Sequence, residues 1–164
     1  MPPVTLMIKP SSASCNLRCR YCFYFDETDH RETPNYGMMT SETLEKLIRR
    51  AIAFADGELS LVFQGGEPSL VGLDFYQDLI RFEEMYNTKG LAIHHSIQTN
   101  GYDLSDELLQ FLIQHHFLFG ISLDGTSETH DRYRVTPKGE RTFKTVKQTL
   151  DPSLDLGGEA NVLC

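Results

Sequence analysis

The stretch that decides the fold reads Ser14-Cys15-Asn16-Leu17-Arg18-Cys19-Arg20-Tyr21-Cys22-Phe23-Tyr24. It places three of the four cysteines at the spacing C-x3-C-x2-C. A structural zinc site takes four protein ligands, normally from two separate pairs, and no second pair follows. A cubane [4Fe-4S] cluster has four irons, so three cysteines leave one iron open to an exogenous molecule. Arg18 and Arg20 add positive charge, which favours thiolates.

Three other interpretations of this loop stay open: a disulfide, a zinc loop completed by a histidine such as His30, and three unrelated core cysteines. A disulfide is disfavoured because residues 1–10 carry no basic stretch followed by a long apolar one, as a secretion signal would. We therefore expect a cytoplasmic location. Cys164, the last residue, is interpreted as an inert strand cysteine.

The composition is that of one ordinary globular domain. The chain has 164 residues, of which 40% are hydrophobic and 10% aromatic, and we treat residues 1–164 as a single domain. No apolar run approaches the ~20 residues of a membrane span. The net charge of -8 argues against nucleic-acid binding, which needs a basic stripe. We expect neither membrane nor nucleic acid among the partners.

Short apolar runs alternate with amphipathic segments on both sides of the cysteines. Strands are predicted at residues 4–9, 59–64, 91–99 and 117–123, and a fifth begins at 159–164. Helices are predicted from Thr40 or Ser41 to about Gly57, at 74–88, from Ser105 onward, and after residue 125, while 26–37 is expected to be a polar loop. This alternation predicts an α/β fold with a parallel sheet.

An unusual loop follows each of the first four predicted strands. These loops are the cysteine stretch, Gly65-Gly66-Glu67-Pro68, Asn100-Gly101 and Asp124-Gly125. Ligands of parallel α/β folds bind at the carboxyl ends of the strands. The sequence therefore predicts one site on that rim.

With these motifs the chain resembles the radical S-adenosylmethionine (SAM) superfamily and, within it, the anaerobic sulfatase-maturating enzymes. The resemblance covers residues 4–164 and rests on Ile8-Lys9-Pro10, Cys22-Phe23-Tyr24, Phe63-Gln64-Gly65-Gly66-Glu67-Pro68, Gln98-Thr99-Asn100-Gly101 and Ser122-Leu123-Asp124-Gly125, followed by His130 and Arg134. It implies that Cys15, Cys19 and Cys22 hold a [4Fe-4S] cluster whose open iron chelates SAM.

The resemblance also implies roles for other rim residues. SAM contacts are expected from Tyr21, Gly65, Gly66, Glu67, Ser122 and Arg134, and substrate contacts from Tyr24, Gln64 and Gln98. Without the resemblance, the glycine pair is a simple turn and Arg134 a solvated helix residue. The pairs His94-His95 and His115-His116 are predicted to be packing and surface histidines, because neighbouring side chains point in different directions.

By resemblance, the full-length reaction oxidises a cysteine or serine of a sulfatase-derived peptide to Cα-formylglycine, with an electron donor of the ferredoxin or flavodoxin type. Another radical peptide modification, such as thioether crosslinking, stays open, as does a non-catalytic iron-sulfur or zinc module.

The chain departs from the family in its length. Family barrels close with further strands and continue into a cysteine-rich region with auxiliary clusters, whereas this chain stops at about its fifth strand. We therefore expect an N-terminal fragment with an incomplete (β/α) barrel, a partial TIM-like barrel. The family's general-base aspartate lies beyond residue 164, and Asp124 is not its equivalent.

Overall fold

Five parallel strands form the centre of the fold, and each pairs with its neighbour in chain order. This computed structural model describes residues 3–155 and 160–163. The strands are β1 Val4–Ile8, β2 Glu58–Phe63, β3 Ala92–Thr99, β4 Leu118–Ser122 and β5 Ala160–Leu163. Ile8 is in register with Phe63, and Phe63 with Ile97, so the strands end along one edge. The predicted strands are confirmed, with small shifts at their ends.

Within the described residues, six α-helices accompany the strands: α1 Phe23–Asp29, α2 Ser41–Phe54, α3 Leu73–Tyr86, α4 Asp106–Gln114, α5 Ser127–Tyr133 and α6 Phe143–Asp155. Thr40 and Ser105 accept hydrogen bonds from the first turns of α2 and α4, which confirms both as N-caps. The polar loop predicted for residues 26–37 is wrong for its beginning, since α1 extends to Asp29. Helix α1 is too short to show an apolar repeat in the sequence. The 3-10 helix Pro68–Val71 was not predicted for the same reason.

Helices α2, α3 and α4 cover one face of the sheet. Along β2, Leu59 and Leu61 are fully buried towards the helices, whereas Ser60 and Val62 on the opposite face are partly exposed. Helix α3 packs against both α2 and α4. Sequential strand order with one-sided helices is the winding of a β/α barrel, because a doubly wound sheet reverses its strand order. The predicted partial barrel is thereby confirmed.

An aromatic cluster ties the loop after β2 to the helical layer. The rings of Phe63, Phe75 and Tyr76 meet edge to face, and Phe117 packs against Phe63 and Tyr76. The Tyr76 hydroxyl, fully buried, donates to the Pro68 carbonyl oxygen at 3.1 Å. Burial of each such side chain stabilises the fold by about 1.5–3 kcal/mol. The aromatic cluster and this hydrogen bond therefore hold the start of the 3-10 helix Pro68–Val71 against α3.

The other face of the sheet is concave and open. It contains a cavity of about 600 Å³ whose lining includes Thr5, Ser60, Val62, His94 and Ser96. A second cavity of about 440 Å³ lies nearer the carboxyl ends of the strands. Among the helices of the described ranges, none is long and apolar enough to cross a lipid bilayer.

Candidate functional site

The loops after the strands meet at the carboxyl edge of the sheet, as predicted. The Glu67 amide donates to the Ser14 carbonyl oxygen at 2.8 Å, which joins the loop after β2 to the cysteine loop, residues 14–22. On the other side, the amides of Arg18 and Arg20 donate to the carbonyl oxygens of Val135 and Tyr133 at 2.7 and 2.8 Å. The cysteine loop is thus held by backbone bonds from both sides.

The three cysteines of this loop are free thiols, each partly buried. Cys15 Sγ accepts from the Leu17 amide at 3.4 Å and from Asn100 Nδ2 at 3.6 Å. Burial raises the pKa of the Cys15 thiol to about 11. Burial also raises the pKa of Cys19, and the positive charge of Arg134 partly opposes that rise. In the protein alone these two groups are neutral thiols at physiological pH. A bound metal would deprotonate them, because its positive charge outweighs the cost of burying a thiolate.

The geometry of the cysteine loop bears on the alternatives to a cluster. The disulfide is excluded for Cys15, Cys19 and Cys22, since all are free. Within residues 3–155 and 160–163, no three His, Cys, Asp or Glu side chains come together as ligands of a single metal ion. In a [4Fe-4S] cluster each thiolate binds a different iron. Three thiols from one loop match the number of protein ligands that leaves one iron of such a cluster open.

Gly66 is required by the close approach of the cysteine loop. Its φ is +61°, and a Cβ on it would lie 2.4 Å from the Ser14 carbonyl oxygen and 2.9 Å from that of Ser12. Gly65, with φ of +94°, faces the flexible end of Lys9 instead. Any other residue at position 66 would push the two loops apart. The predicted contact of both glycines with SAM stays a prediction.

Glu67 lies at the centre of a buried hydrogen-bonded group, the Glu67 cluster, formed with Ser69, Thr99 and Asn100. Its carboxylate is 1% exposed and accepts from Thr99 Oγ1 and the Asn100 amide, both at 2.7 Å, and from the Ser69 amide at 3.0 Å. Burial raises the pKa of Glu67, and these hydrogen bonds oppose the rise. The carboxylate therefore joins the ends of β2 and β3, while its predicted contact with SAM remains untested.

Tyr21 and Arg134 meet at the carboxylate of Asp124. The Tyr21 hydroxyl donates to Asp124 Oδ2, and Arg134 Nε lies 3.0 Å from Asp124 Oδ1. That ion pair is nearly buried, yet its two atoms do not have hydrogen-bond geometry, so the contact is purely ionic. The Arg134 guanidinium also lies 5.3 Å from the centre of the Tyr21 ring. Burial, and after it the bond to Asp124, raises the pKa of Tyr21.

The remaining predicted residues divide between the open face and α1. Gln98 Nε2 donates to Ser122 Oγ at 3.1 Å, and Gln64 and Gln98 line the same cavity of about 440 Å³. Tyr24 lies in α1, where Lys9 Nζ is 4.2 Å from the centre of its ring. The structure thus brings the two glutamines together on the concave face and leaves Tyr24 beside the cysteine loop. Their substrate roles remain predictions.

His130 positions the Asp124–Arg134 pair, a role that the sequence did not reveal. It is fully buried, and its Nδ1 accepts from the Asp124 amide at 3.3 Å. Because Nδ1 accepts, Nε2 carries the proton and donates to Thr142 Oγ1 at 3.0 Å, and that hydroxyl donates to the Arg134 carbonyl oxygen at 2.7 Å. Burial, with the Arg134 charge, lowers the pKa of His130. Only the family motif singled this residue out in the sequence.

The histidine pairs lie away from these rim residues. His95 Nε2 is 2.9 Å from Glu83 Oε1, and its ring stacks on Phe117 with centres 4.6 Å apart. His94 and His116 are exposed. The prediction of packing and surface histidines is confirmed for these residues. Cys164 lies outside the described residues.

The chain is similar to known proteins over most of its length. A family model described as the Radical SAM superfamily matches residues 10–159. The cysteine-type anaerobic sulfatase-maturating enzyme of Clostridium novyi is 44% identical over 92% of this chain and 40% of its own length, and that of Clostridium perfringens strain 13 is 42% identical over 100% and 44%. The serine-type enzyme of Klebsiella aerogenes is 36% identical over 91% of this chain and 36% of its own.

Solved structures give the same result. The structure described as "Native anSMEcpe with bound AdoMet" matches with a TM-score of 0.93 and 40% identity, over 99% of this chain and 44% of that one. "Native anSMEcpe with bound AdoMet and Cp18Cys peptide" matches with a TM-score of 0.92 and 39% identity, over 99% and 43%. This chain spans less than half the length of each of these relatives.

Proposed function

This chain belongs to the radical SAM superfamily, and we propose that its carboxyl rim binds a [4Fe-4S] cluster and SAM for the oxidation of a sulfatase-derived peptide. The observation that carries the proposal is the set of three free, partly buried thiols in one loop at the carboxyl edge of a parallel sheet. When bound, the cluster supplies the electron that cleaves SAM into methionine and a 5′-deoxyadenosyl radical, which removes hydrogen from a substrate.

Cys15, Cys19 and Cys22 would hold the cluster, and the protein's own contribution is to fix their positions. Gly66 allows the loop after β2 to approach within hydrogen-bonding distance of the cysteine loop. Asn100 adds a donor to Cys15 Sγ at 3.6 Å. Donors to cluster sulfurs raise the reduction potential by stabilising negative charge.

For SAM we propose contacts with Tyr21, Gly65, Gly66, Glu67, Ser122 and Arg134. The Arg134 guanidinium suits the carboxylate of SAM, because its fork of donors can bind both oxygens. Asp124 holds the Nε edge of that guanidinium at 3.0 Å. This contact orients the terminal nitrogens, and the chain from His130 through Thr142 fixes the backbone at Arg134.

For the substrate we propose a peptide with a reactive cysteine, oxidised to Cα-formylglycine. Identity supports the cysteine type, since those relatives are 41–44% identical to this chain and the serine-type ones 34–36%. Gln64 and Gln98 line the cavity on the concave face, where amide side chains can bind a peptide backbone. Tyr24 is the third proposed substrate contact.

We further propose a one-electron donor of the ferredoxin or flavodoxin type and a cytoplasmic location, with no nucleic acid or membrane partner. A radical SAM enzyme needs electrons singly and at low potential. Cytoplasmic carriers of these two types meet that need.

The test is anaerobic reconstitution of the chain with iron and sulfide, followed by SAM, dithionite and a sulfatase-derived peptide. We expect 5′-deoxyadenosine by chromatography, and an aldehyde in the cysteine peptide by mass spectrometry of its hydrazone. Matched peptides with serine or alanine at the reactive position test the substrate type. Absence of 5′-deoxyadenosine from a chain that holds its cluster would count against the proposed activity of these residues.

A further inference from the structure

Four exposed arginines lie in the cysteine loop or in segments connected to it by backbone pairing. Arg18 and Arg20 flank Cys19, and their amides pair with the segment 133–135, which follows Arg132. Val135 in turn pairs with Arg141 in an antiparallel bridge. Backbone pairing therefore brings the three segments that carry these arginines next to one another. We call Arg18, Arg20, Arg132 and Arg141 the arginine face.

Two short segments of this surface are basic, although the chain as a whole is acidic. The chain carries a net charge of -8, yet residues 14–22 contain two arginines and no acid, and residues 132–141 contain four basic residues and one acid. Two acids, Glu128 and Asp131, line a cavity together with Arg132 and Arg141. Asp131 Oδ1 accepts from the amides of Thr142 and Phe143. Among the side chains that the structure describes, no carboxylate forms an ion pair with any of the four arginines.

Exposed aromatic rings lie among these charges. The Arg132 guanidinium is 5.5 Å from the centre of the Tyr133 ring, which lies 5.9 Å from that of Tyr21. The Arg18 guanidinium lies 3.8 Å from the centre of the Phe25 ring. Tyr21 is 50% exposed and Phe23 61%. Arginine and aromatic side chains are enriched in protein interfaces, where charge steers the encounter and rings provide contact area.

We propose that the arginine face docks an acidic one-electron carrier protein, which is the electron donor of the proposed function. The inference rests on that function, because it takes Cys19 as a cluster ligand. Electron transfer slows steeply with distance, and Arg18 and Arg20 adjoin that ligand directly. The peptide, in contrast, is proposed to enter from the concave face, past Gln64 and Gln98. The donor and the peptide therefore bind on different sides of the cysteine loop.

The experiment compares two charge-reversal variants of the 164-residue chain with the unmodified chain. One carries Arg132→Glu and Arg141→Glu, which change the arginine face without touching the cysteine loop. The matched control carries Arg49→Glu and Arg50→Glu, two exposed positions of α2 with the same total charge change. The probe is an acidic flavodoxin. Its binding is measured by calorimetry at low and high salt, on chains with and without the cluster, and its oxidation by stopped flow.

We expect the first variant to weaken flavodoxin binding and slow electron transfer by about tenfold or more, and the control to change both by less than about twofold. Added salt should weaken binding to the unmodified chain. Dithionite, a small reductant, should reduce the cluster of all three chains equally. Equal effects of the two variants, or binding that ignores salt, would overturn the docking surface.

Two further results separate the possible failures. If no cluster forms, or dithionite and SAM give no 5′-deoxyadenosine, the proposed function fails, while flavodoxin binding to the cluster-free chains still decides whether the surface exists. If a single-stranded oligonucleotide binds the unmodified chain as tightly as flavodoxin and loses affinity equally in the first variant, the face is a general polyanion site and the carrier proposal is overturned.

Discussion

The Glu67 cluster and the cysteine loop share one rim but differ in how their polar groups are satisfied. The Glu67 carboxylate is fully buried and accepts three hydrogen bonds from the protein. The cysteines are partly buried thiols, and Cys15 has two long contacts, at 3.4 and 3.6 Å. Asn100 belongs to both regions. Its backbone amide donates a hydrogen bond to the Glu67 carboxylate, and its side-chain Nδ2 donates one to Cys15 Sγ.

We therefore expect the Glu67 cluster to contribute mainly to stability and the cysteine loop mainly to ligand binding, although the two lie side by side. A buried carboxylate with three donors is complete without any ligand, so its loss is expected to destabilise the fold. The partly buried thiols have few hydrogen-bond partners in the protein alone, and a bound metal can deprotonate and bind them, so their loss is expected to abolish metal binding and leave the fold intact. Substitutions in each of the two regions test that separation.

The largest expected effect is on iron binding by Cys19→Ala. Removing one of three ligands should abolish the cluster, while the melting temperature of the cluster-free chain should shift by only a few degrees. Iron and sulfide analysis after anaerobic reconstitution measures the first effect, and circular dichroism the second. Cys164→Ala is the control and should keep its iron. A Cys19→Ala chain that retains the cluster would contradict the ligand assignment.

The next largest effect is on the free energy of unfolding of Glu67→Ala. The substitution leaves buried donors without an acceptor, and we expect a loss of about 2–4 kcal/mol. Urea denaturation of the cluster-free chain measures it. Glu84→Ala, at an exposed position of α3, should cost less than about 0.5 kcal/mol. Similar losses for both variants would show that the Glu67 cluster does not stabilise the fold.

Gly66→Ala should affect both regions, because this residue lies where they meet. Its Cβ would approach a backbone carbonyl oxygen at 2.4 Å, so we expect a loss of about 1–3 kcal/mol together with weaker cluster binding. Gly65→Ala is also strained, because its φ of +94° is positive, but its Cβ meets only the flexible Lys9 side chain and should disturb cluster binding less. The two variants are compared by urea denaturation and by iron content. A greater loss of iron from the Gly65→Ala chain would contradict the assignment of the tight loop contact to Gly66.

The smallest effect is the pH dependence contributed by His130. Its pKa in the folded protein lies below the ordinary 6.5, so the unfolded chain binds the proton first as the pH falls. The stability from neutral His130 is therefore fully present above pH 6.5 and is lost as the pH falls through the lower, folded-state pKa. His130→Asn keeps an acceptor for the Asp124 amide but cannot titrate, and should cost about 1 kcal/mol at neutral pH.

Urea denaturation between about pH 5 and 8 measures this contribution as the difference between the two chains. The difference should shrink as the pH falls, because only the unmodified chain loses stability by protonation of His130. A difference that does not change with pH would mean that His130 is not held neutral in the fold.

The sequence predicted what depends on local pattern. The alternation along β2, the caps at Thr40 and Ser105, and the order of the rim loops follow from neighbouring residues, and the structure confirms them. The cysteine loop was predicted in the same way, because the spacing of its three cysteines can be read directly from consecutive residues.

What the sequence could not predict depends on contacts between distant residues. Glu67 meets Thr99 and Asn100 only because β2 and β3 pair in one particular register, which no local pattern specifies. His130 likewise acts through Thr142 and Asp124, which belong to different segments. Nothing in the local sequence marks this glutamate or this histidine as buried, because glutamate is usually exposed and histidine is found in both environments.

The most direct test of the central claim is electron paramagnetic resonance of the reconstituted, reduced chain before and after addition of SAM. Three cysteine ligands leave one iron available, so we predict a reduced [4Fe-4S] signal whose g values change when SAM binds that iron. The same spectrum with and without SAM, in a chain that holds a full cluster, would contradict the account, because it would mean that this rim offers SAM no open iron.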